Sequence, residues 1–190
     1  MPKIVQMDSI KGGEIIEQIK EGAIFIYPTD TVYGLGCNAL DADAVKRLRK
    51  IKGRSNKPLS IIAPSKAWIT RNFETKKSYI NKLPGPYTFI MKPKKEKLLP
   101  DEVTKGVDTV GVRIPDHPFT KIIQKAGVPF ITTSVNISGE APVTDLSKIP
   151  SEILNNVDYI IGDNSLDNAP SALIDLTGEI PKIIKRGTVV

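Results

Sequence analysis

The chain has 190 residues, 40% of them hydrophobic, one cysteine and a formal net charge of +6. That length suits one compact domain over residues 1–190, with a core large enough to need no disulfide staples, and a single Cys37 excludes an internal disulfide. No apolar run approaches the roughly 18 residues of a membrane span, and MPKIVQMDS has no signal-peptide core, so the expectation is a cytoplasmic protein with no membrane partner.

In chain order, GEIIEQIKEG (13–22) has Ile15, Ile16 and Ile19 at helical spacing. AIFIY (23–27) reads as a buried strand that runs straight into PTDT and a glycine pair, Gly34 and Gly36. DADAVKRLRKIKG (41–53) reads as a helix with acids in its first turn, cations late and Gly53 as its stop. PLSIIA (58–63), YTFIMK (87–92), VGVRIP (110–115) and VPFITT (128–133) read as strands. KSYINKLPG (77–85) reads as a helix stopped at Pro84-Gly85. PFTKIIQKAG (118–127) is a helix with Pro at its start and Gly after its end. VDYIIG, SALIDL and PKIIKRG complete the strands. Alternation of strands and helices over the first two thirds predicts an α/β fold, a twisted and mostly mixed sheet with helices on both faces.

Polar residues collect where these strands end. AIFIY is followed by Thr29, Asp30 and Thr31, VGVRIP carries Arg113, and VPFITT leads to Ser134, Asn136 and Ser138. SALIDL begins at Ser171 and carries Asp175, and PKIIKRG ends in Lys185 and Arg186. Ligands of open α/β sheets bind outside strand ends. Each group also has a plain reading: an Asx- or ST-type turn for PTDT, a cap for Ser134, a solvent-facing edge residue for Arg113, an ion pair for Asp175. Lys52, Arg54 and Lys57 form a cationic cluster between a helix and a strand, as a bound polyanion or a solvated loop would have it. The positive charge is consistent with an anionic partner and equally with solubility.

The sequence lacks G-x-x-x-x-G-K-[ST] and a full G-x-G-x-x-G, and its single histidine, His117, sits between prolines as a turn residue and cannot anchor a metal alone. Cys37 has no evident base. Chemistry without a protein nucleophile, such as phosphoryl or nucleotidyl transfer, fits these absences.

Taken in order, YPTDTVYGLGCNA, KGRSNKPLS, PGPYT, GVRIPDHP, TSVNISGEAP, PSALIDLTG and KRG resemble the YrdC/TsaC family from about residue 10 to the C-terminus. The resemblance implies the YrdC-like fold with a basic concave cavity. It implies an enzyme, a nucleotidyltransferase that makes L-threonylcarbamoyl-AMP and pyrophosphate from L-threonine, bicarbonate and ATP. The product feeds a downstream tRNA threonylcarbamoyl-transferase complex that modifies the adenosine beside the anticodon of ANN-decoding tRNAs. ATP is then a substrate, and Mg²⁺ arrives with the nucleotide. The implied catalytic pair is Lys52 and Arg54, expected to be exposed in the empty site. Thr31, Arg113, Thr132 and Ser171 would bind L-threonine. Arg54, Lys57, Thr109, Ser134, Asn136 and Arg186 would bind ATP, and no residue is assigned to a metal. The glycines after PTDT would let the chain turn away beside the ligand. The loop reads KGRS where the family often has K-x-R-P, and Pro58 follows Arg54 one position sooner. Two further readings stand beside this one. One is a YciO-like or carbamoyl-adenylate-forming relative of the same fold. The other is a non-catalytic module for tRNA or double-stranded RNA, for which the 6% aromatic content offers little stacking surface.

Overall fold

The computed structural model describes residues 1–10, 12–53, 56–162, 166 and 169–184. Its strands are β1 (Lys3–Gln6), β2 (Phe25–Tyr27), β3 (Gly34–Gly36), β4 (Ser60–Ile62), β5 (Tyr87–Met91), β6 (Val110–Arg113), β7 (Phe130–Ser134), β8 (Tyr159–Gly162), β9 (Ala172–Asp175) and β10 (Lys182–Ile184). The helices are α1 (Gly12–Lys20), α2 (Ala42–Ile51), α3 (Lys66–Asn72), α4 (Lys77–Ile80), α5 (Asp101–Thr104), α6 (Pro118–Ala126) and α7 (Ser151–Leu154). All ten strands join one sheet in the order β1-β8-β2-β3-β7-β4-β6-β5-β9-β10. It is mixed: β1–β8, β2–β8, β4–β6 and β5–β9 are parallel, and the other neighbours antiparallel. Among the described residues no helix is long and apolar enough to cross a membrane.

Both faces are covered. On one, Ile15 and Ile19 of α1 and Phe119, Ile122 and Ile123 of α6 pack on Phe25, Tyr27, Ile62, Phe130 and Ile161. On the other, Val45 and Leu48 of α2, Ile69 of α3, Ile80 of α4 and Val103 of α5 pack on Ile24, Ile26, Leu35, Ile61, Phe89 and Val112. Successive strand residues point to opposite faces, so a strand covered on both sides must be apolar throughout. That is why AIFIY shows no alternation.

The helix signals operate as sequence physics predicts. Asp41 caps α2 by accepting from the amides of Asp43 and Ala44, both at 3.0 Å. Gly127 ends α6 with φ of 74°. The 77–85 helix is shorter than expected, a single turn over Lys77–Ile80. Five elements have no counterpart in the sequence reading: β1, β3, α3, α5 and α7. For α3 a signal was present, since Ser65 accepts from the Trp68 amide at 3.0 Å.

The strand β3 corrects the reading of the glycine pair. Gly34 and Gly36 do not turn the chain away. They lie in a buried strand hydrogen-bonded between β2 and β7. Close approach demands them: a Cβ on Gly34 would meet the Tyr27 ring at 2.6 Å, and one on Gly36 would meet the Ile131 carbonyl oxygen at 2.0 Å. Gly36→Ala should therefore cost about 1–3 kcal/mol of unfolding free energy, the usual penalty for overpacking. Gly13→Ala, with open space around the new methyl, should be neutral or stabilising by up to about 1 kcal/mol. Urea denaturation of the pair checks the contrast; equal effects would contradict it.

Candidate active site

The strand ends converge. A cavity of about 570 Å³ is walled by Thr29 and Thr31 after β2, Ser60 of β4, Thr88 of β5, Thr109 and Arg113 at either end of β6, Thr132, Thr133 and Ser134 of β7, and Ser171 before β9. The volume is in the range of small-molecule sites. Among its described lining residues, Arg113 is the only cation and Glu140 the only acid.

Arg113 sits in β6, which lies between β4 and β5, so the edge-strand reading is excluded. Its side chain is 8% exposed. Nη2 donates to Asp30 Oδ1 at 2.5 Å, and Nη1 lies 3.3 Å from Thr31 Oγ1. The second oxygen of Asp30 accepts from the Asp116 amide at 3.0 Å, tying the PTDT turn to the chain beyond β6. Burial pulls the Arg113 pKa down, and the charge of Asp30 opposes that pull. Its Nε is buried without a hydrogen-bond partner among the described residues.

PTDT forms the expected turn and also lines the cavity. Thr29 Oγ1 donates to the Val32 carbonyl at 2.7 Å and accepts from the Thr31 amide at 3.0 Å. The same bonds present both threonines to the cavity. On another wall Ser171 Oγ and Thr88 Oγ1 are 2.8 Å apart, joining β5 to the entry of β9.

Lys52 departs from expectation. It was expected to be exposed in the empty site, and it is 2% exposed. Its Nζ donates to the Ser134 carbonyl at 2.7 Å, the Asn136 carbonyl at 2.5 Å and Asn136 Oδ1 at 2.9 Å. An ammonium has three N–H groups, and the described residues place at least these three acceptors around it. Ser134 Oγ also donates to Asn136 Oδ1 at 2.5 Å, while Asn136 Nδ2 donates to the carbonyls of Ile137 and Glu140, each at 2.9 Å. Lys52 and Asn136 thus stand behind the cavity wall and fix the turn that presents Ser134.

Of the expected site residues, Thr31, Thr109, Arg113, Thr132, Ser134 and Ser171 line the one cavity. Lys57 is exposed and is not among the lining residues. Arg54, Lys185 and Arg186 lie outside the described residues. Among the described residues Asp175 makes no ion pair within 4 Å; it accepts from the Thr177 amide and hydroxyl at 2.8 and 2.7 Å. His117 caps α6 through Nδ1, which accepts from the Phe119 amide at 3.2 Å. Cys37 is fully buried, and burial pushes its thiol pKa far up, which suits a core residue and not a nucleophile. Ser60, Thr88, Thr133 and Glu140 were not predicted as site residues; KGRSNKPLS, PGPYT and TSVNISGEAP held all four in recognised stretches, but lone polar residues carry no periodic signal.

The Sua5/YciO/YrdC family model, described as "Telomere recombination", matches residues 17–187. A Methanocaldococcus jannaschii protein called "Putative threonylcarbamoyl-AMP synthase" is 36% identical over 98% of this chain and 92% of its own length. The Pyrococcus abyssi threonylcarbamoyl-AMP synthase is 36% identical over 89% of this chain, which spans 52% of that longer protein. The crystal structure of P. abyssi Sua5 complexed with L-threonine superposes with a TM-score of 0.84 at 30% identity, covering 96% of this chain and 56% of that one. Escherichia coli YciO superposes with a TM-score of 0.82 at 26% identity, covering 97% of this chain and 94% of its own. With a mixed sheet of this order, strand ends meeting at one hydroxyl-lined cavity and a family match over most of its length, the chain belongs to the Sua5/YciO/YrdC family.

Proposed function

We propose that this chain is an L-threonylcarbamoyl-AMP synthase, a nucleotidyltransferase working as one unit over residues 1–190. The observation that carries the reading is the meeting of the PTDT turn, Arg113 and the Ser134 turn at one cavity, in a chain whose relative P. abyssi Sua5 was crystallised with L-threonine. The reaction asks for such a site. The neutral amine of threonine attacks carbon dioxide derived from bicarbonate and releases a proton, giving a carbamate. A carbamate oxygen then attacks the α-phosphorus of ATP and pyrophosphate leaves. Both reactants of the second step are anions, so their encounter needs neutralising charge and fixed donors.

Arg113 would hold the threonine carboxylate, with Thr31, Thr132 and Ser171 donating around it. Its orientation is set before any ligand arrives, because Asp30 and Thr31 already fix the guanidinium. Ser134 and Thr109 would meet the nucleotide, with Asn136 and Lys52 setting Ser134. Arg54, Lys57 and Arg186 remain the proposed cations for the triphosphate. The described residues hold no cluster of three metal-ligating side chains, so Mg²⁺ would be carried by the phosphates, with Glu140 the one described lining carboxylate near enough in chemistry to assist. The product would pass to a tRNA threonylcarbamoyl-transferase complex in the cytoplasm. Any tRNA or double-stranded RNA affinity would come from surface charge and fall steeply with salt.

A YciO-like activity on another substrate is favoured by one observation: YciO matches this chain over nearly its full length. The discriminating assay omits threonine, bicarbonate and ATP in turn. Threonylcarbamoyl-AMP by mass and pyrophosphate release should require all three; pyrophosphate release that ignores threonine removes the synthase reading. Arg113→Gln, assayed below its unfolding temperature, should raise the KM for threonine roughly 10–100-fold, the 1.5–3 kcal/mol of a charged hydrogen bond, while leaving the ATP KM nearly unchanged. Lys52→Met should instead lower stability by about 1.5–3 kcal/mol, because buried carbonyls lose their donor. A Lys52→Met protein with full stability in urea would restore the exposed, ligand-facing lysine of the sequence reading.

A further inference from the structure

The late cations of α2 contain a residue the function has not absorbed. Arg49 is 6% exposed. Nη1 donates to the Lys57 carbonyl at 2.9 Å, Nη2 to the Val103 carbonyl at 3.2 Å, and Nε to the Glu102 carbonyl. The Val103 oxygen also accepts from the Leu59 amide at 2.9 Å. Glu102 and Val103 lie in α5, whose last carbonyls have no partner within the helix. One guanidinium therefore gathers three acceptors: two on a one-turn helix and one at the exit of the cationic loop. Immediately after that exit come Pro58, Leu59 and Ser60, and all three line the cavity.

We infer that Arg49 is a positioning residue for the site: it anchors the backbone at Lys57 and thereby sets the Pro58–Ser60 wall against the cavity. It touches no reactant, since it is not among the residues lining the cavity. The division of labour with Lys52 is spatial. Lys52 holds the loop's entrance to the Ser134 turn, and the Lys52 carbonyl accepts from the Ser138 amide at 3.2 Å. Arg49 holds the exit to α5. Lys52 and Lys57 are thus each held in place, through buried cations three residues apart at one helix end. A lysine cannot substitute fully at Arg49, because its point charge lacks the planar fork that reaches three carbonyls from different segments. The favourable interaction of a cation with the C-terminal end of α2 is a separate and smaller benefit, which lysine would retain.

The catalytic arm of the test rests on the synthase reading above; the proteolytic arm does not. Arg49→Met and Arg49→Lys are compared with the wild-type protein in native-state trypsin digestion, scoring cleavage after Lys52 and Arg54 against cleavage after Arg71 in α3 and Lys125 in α6. Release of the anchor should speed cleavage in the loop on the order of 10-fold in Arg49→Met, and less in Arg49→Lys, without a matching rise at the two helical sites. Equal acceleration at all four sites marks a general loss of stability and overturns the inference, as does no acceleration in the loop. In synthase assays at a temperature where the variants are folded, the KM for ATP should rise about 10-fold in Arg49→Met with kcat within twofold, consistent with a misplaced wall. An unchanged ATP KM also overturns it. If Arg49→Met does not fold, Arg49→Lys decides by the same two readouts. A wild-type protein inactive with threonine sinks the synthase reading, and digestion still decides the anchor.

Discussion

Removing a guanidinium from water costs several kcal/mol unless its charge and its donors find partners. The centre of this molecule is organised around that constraint. Arg113 is placed in the middle of the sheet by the register of β6 against β4 and β5. The chain then answers it with Asp30 and Thr31, delivered by the turn after β2. The pair fixes two things at once. It holds the PTDT turn in the conformation that exposes its hydroxyls, and it holds a cation at the cavity with its direction already chosen. In a reaction that joins two anions, a charge that does not need to reorganise is worth more than a mobile one.

The same device is repeated with lysine and arginine around the cationic loop. Lys52 and Arg49 are basic residues that solve backbone problems, satisfying carbonyls of the Ser134 turn and of α5. Two of the positive charges near this site therefore serve as internal fasteners, and net charge alone says little about which cations meet a ligand. The hydroxyls around the cavity are organised the same way, in mutual contacts such as Thr88 with Ser171 and Thr29 with Thr31.

Much of this was legible in the sequence because it follows from short-range rules. The helix caps, the apolar strands covered on both faces, the mixed sheet and the meeting of strand ends all come from periodicity and turn chemistry, and the ordered motifs supplied the family. What escaped depends on contacts remote in the chain. GLG gives no strand signal, because glycine is a poor strand former; only Tyr27 and the Ile131 carbonyl pressing on it explain the strand. Lys52 looks like a ligand-facing cation until Asn136 and Ser134 are seen to surround it. Arg49 looks like an ordinary last-turn cation until α5 folds beneath it. Lone hydroxyls such as Ser60 and Thr133 have no pattern to announce them.

The sequence separations of the site's contacts have a kinetic consequence. Asp30 reaches Arg113 across 83 residues, Lys52 reaches Asn136 across 84, and Thr88 reaches Ser171 across 83. Each closes a long loop, and each closure carries an entropy cost that no local contact offsets in advance. A nascent chain emerging from the ribosome thus holds every first half of these pairs well before its second half exists. The cavity becomes competent only once Ser171 has been made, and acquiring it belongs to the slow, non-local phase typical of such topologies.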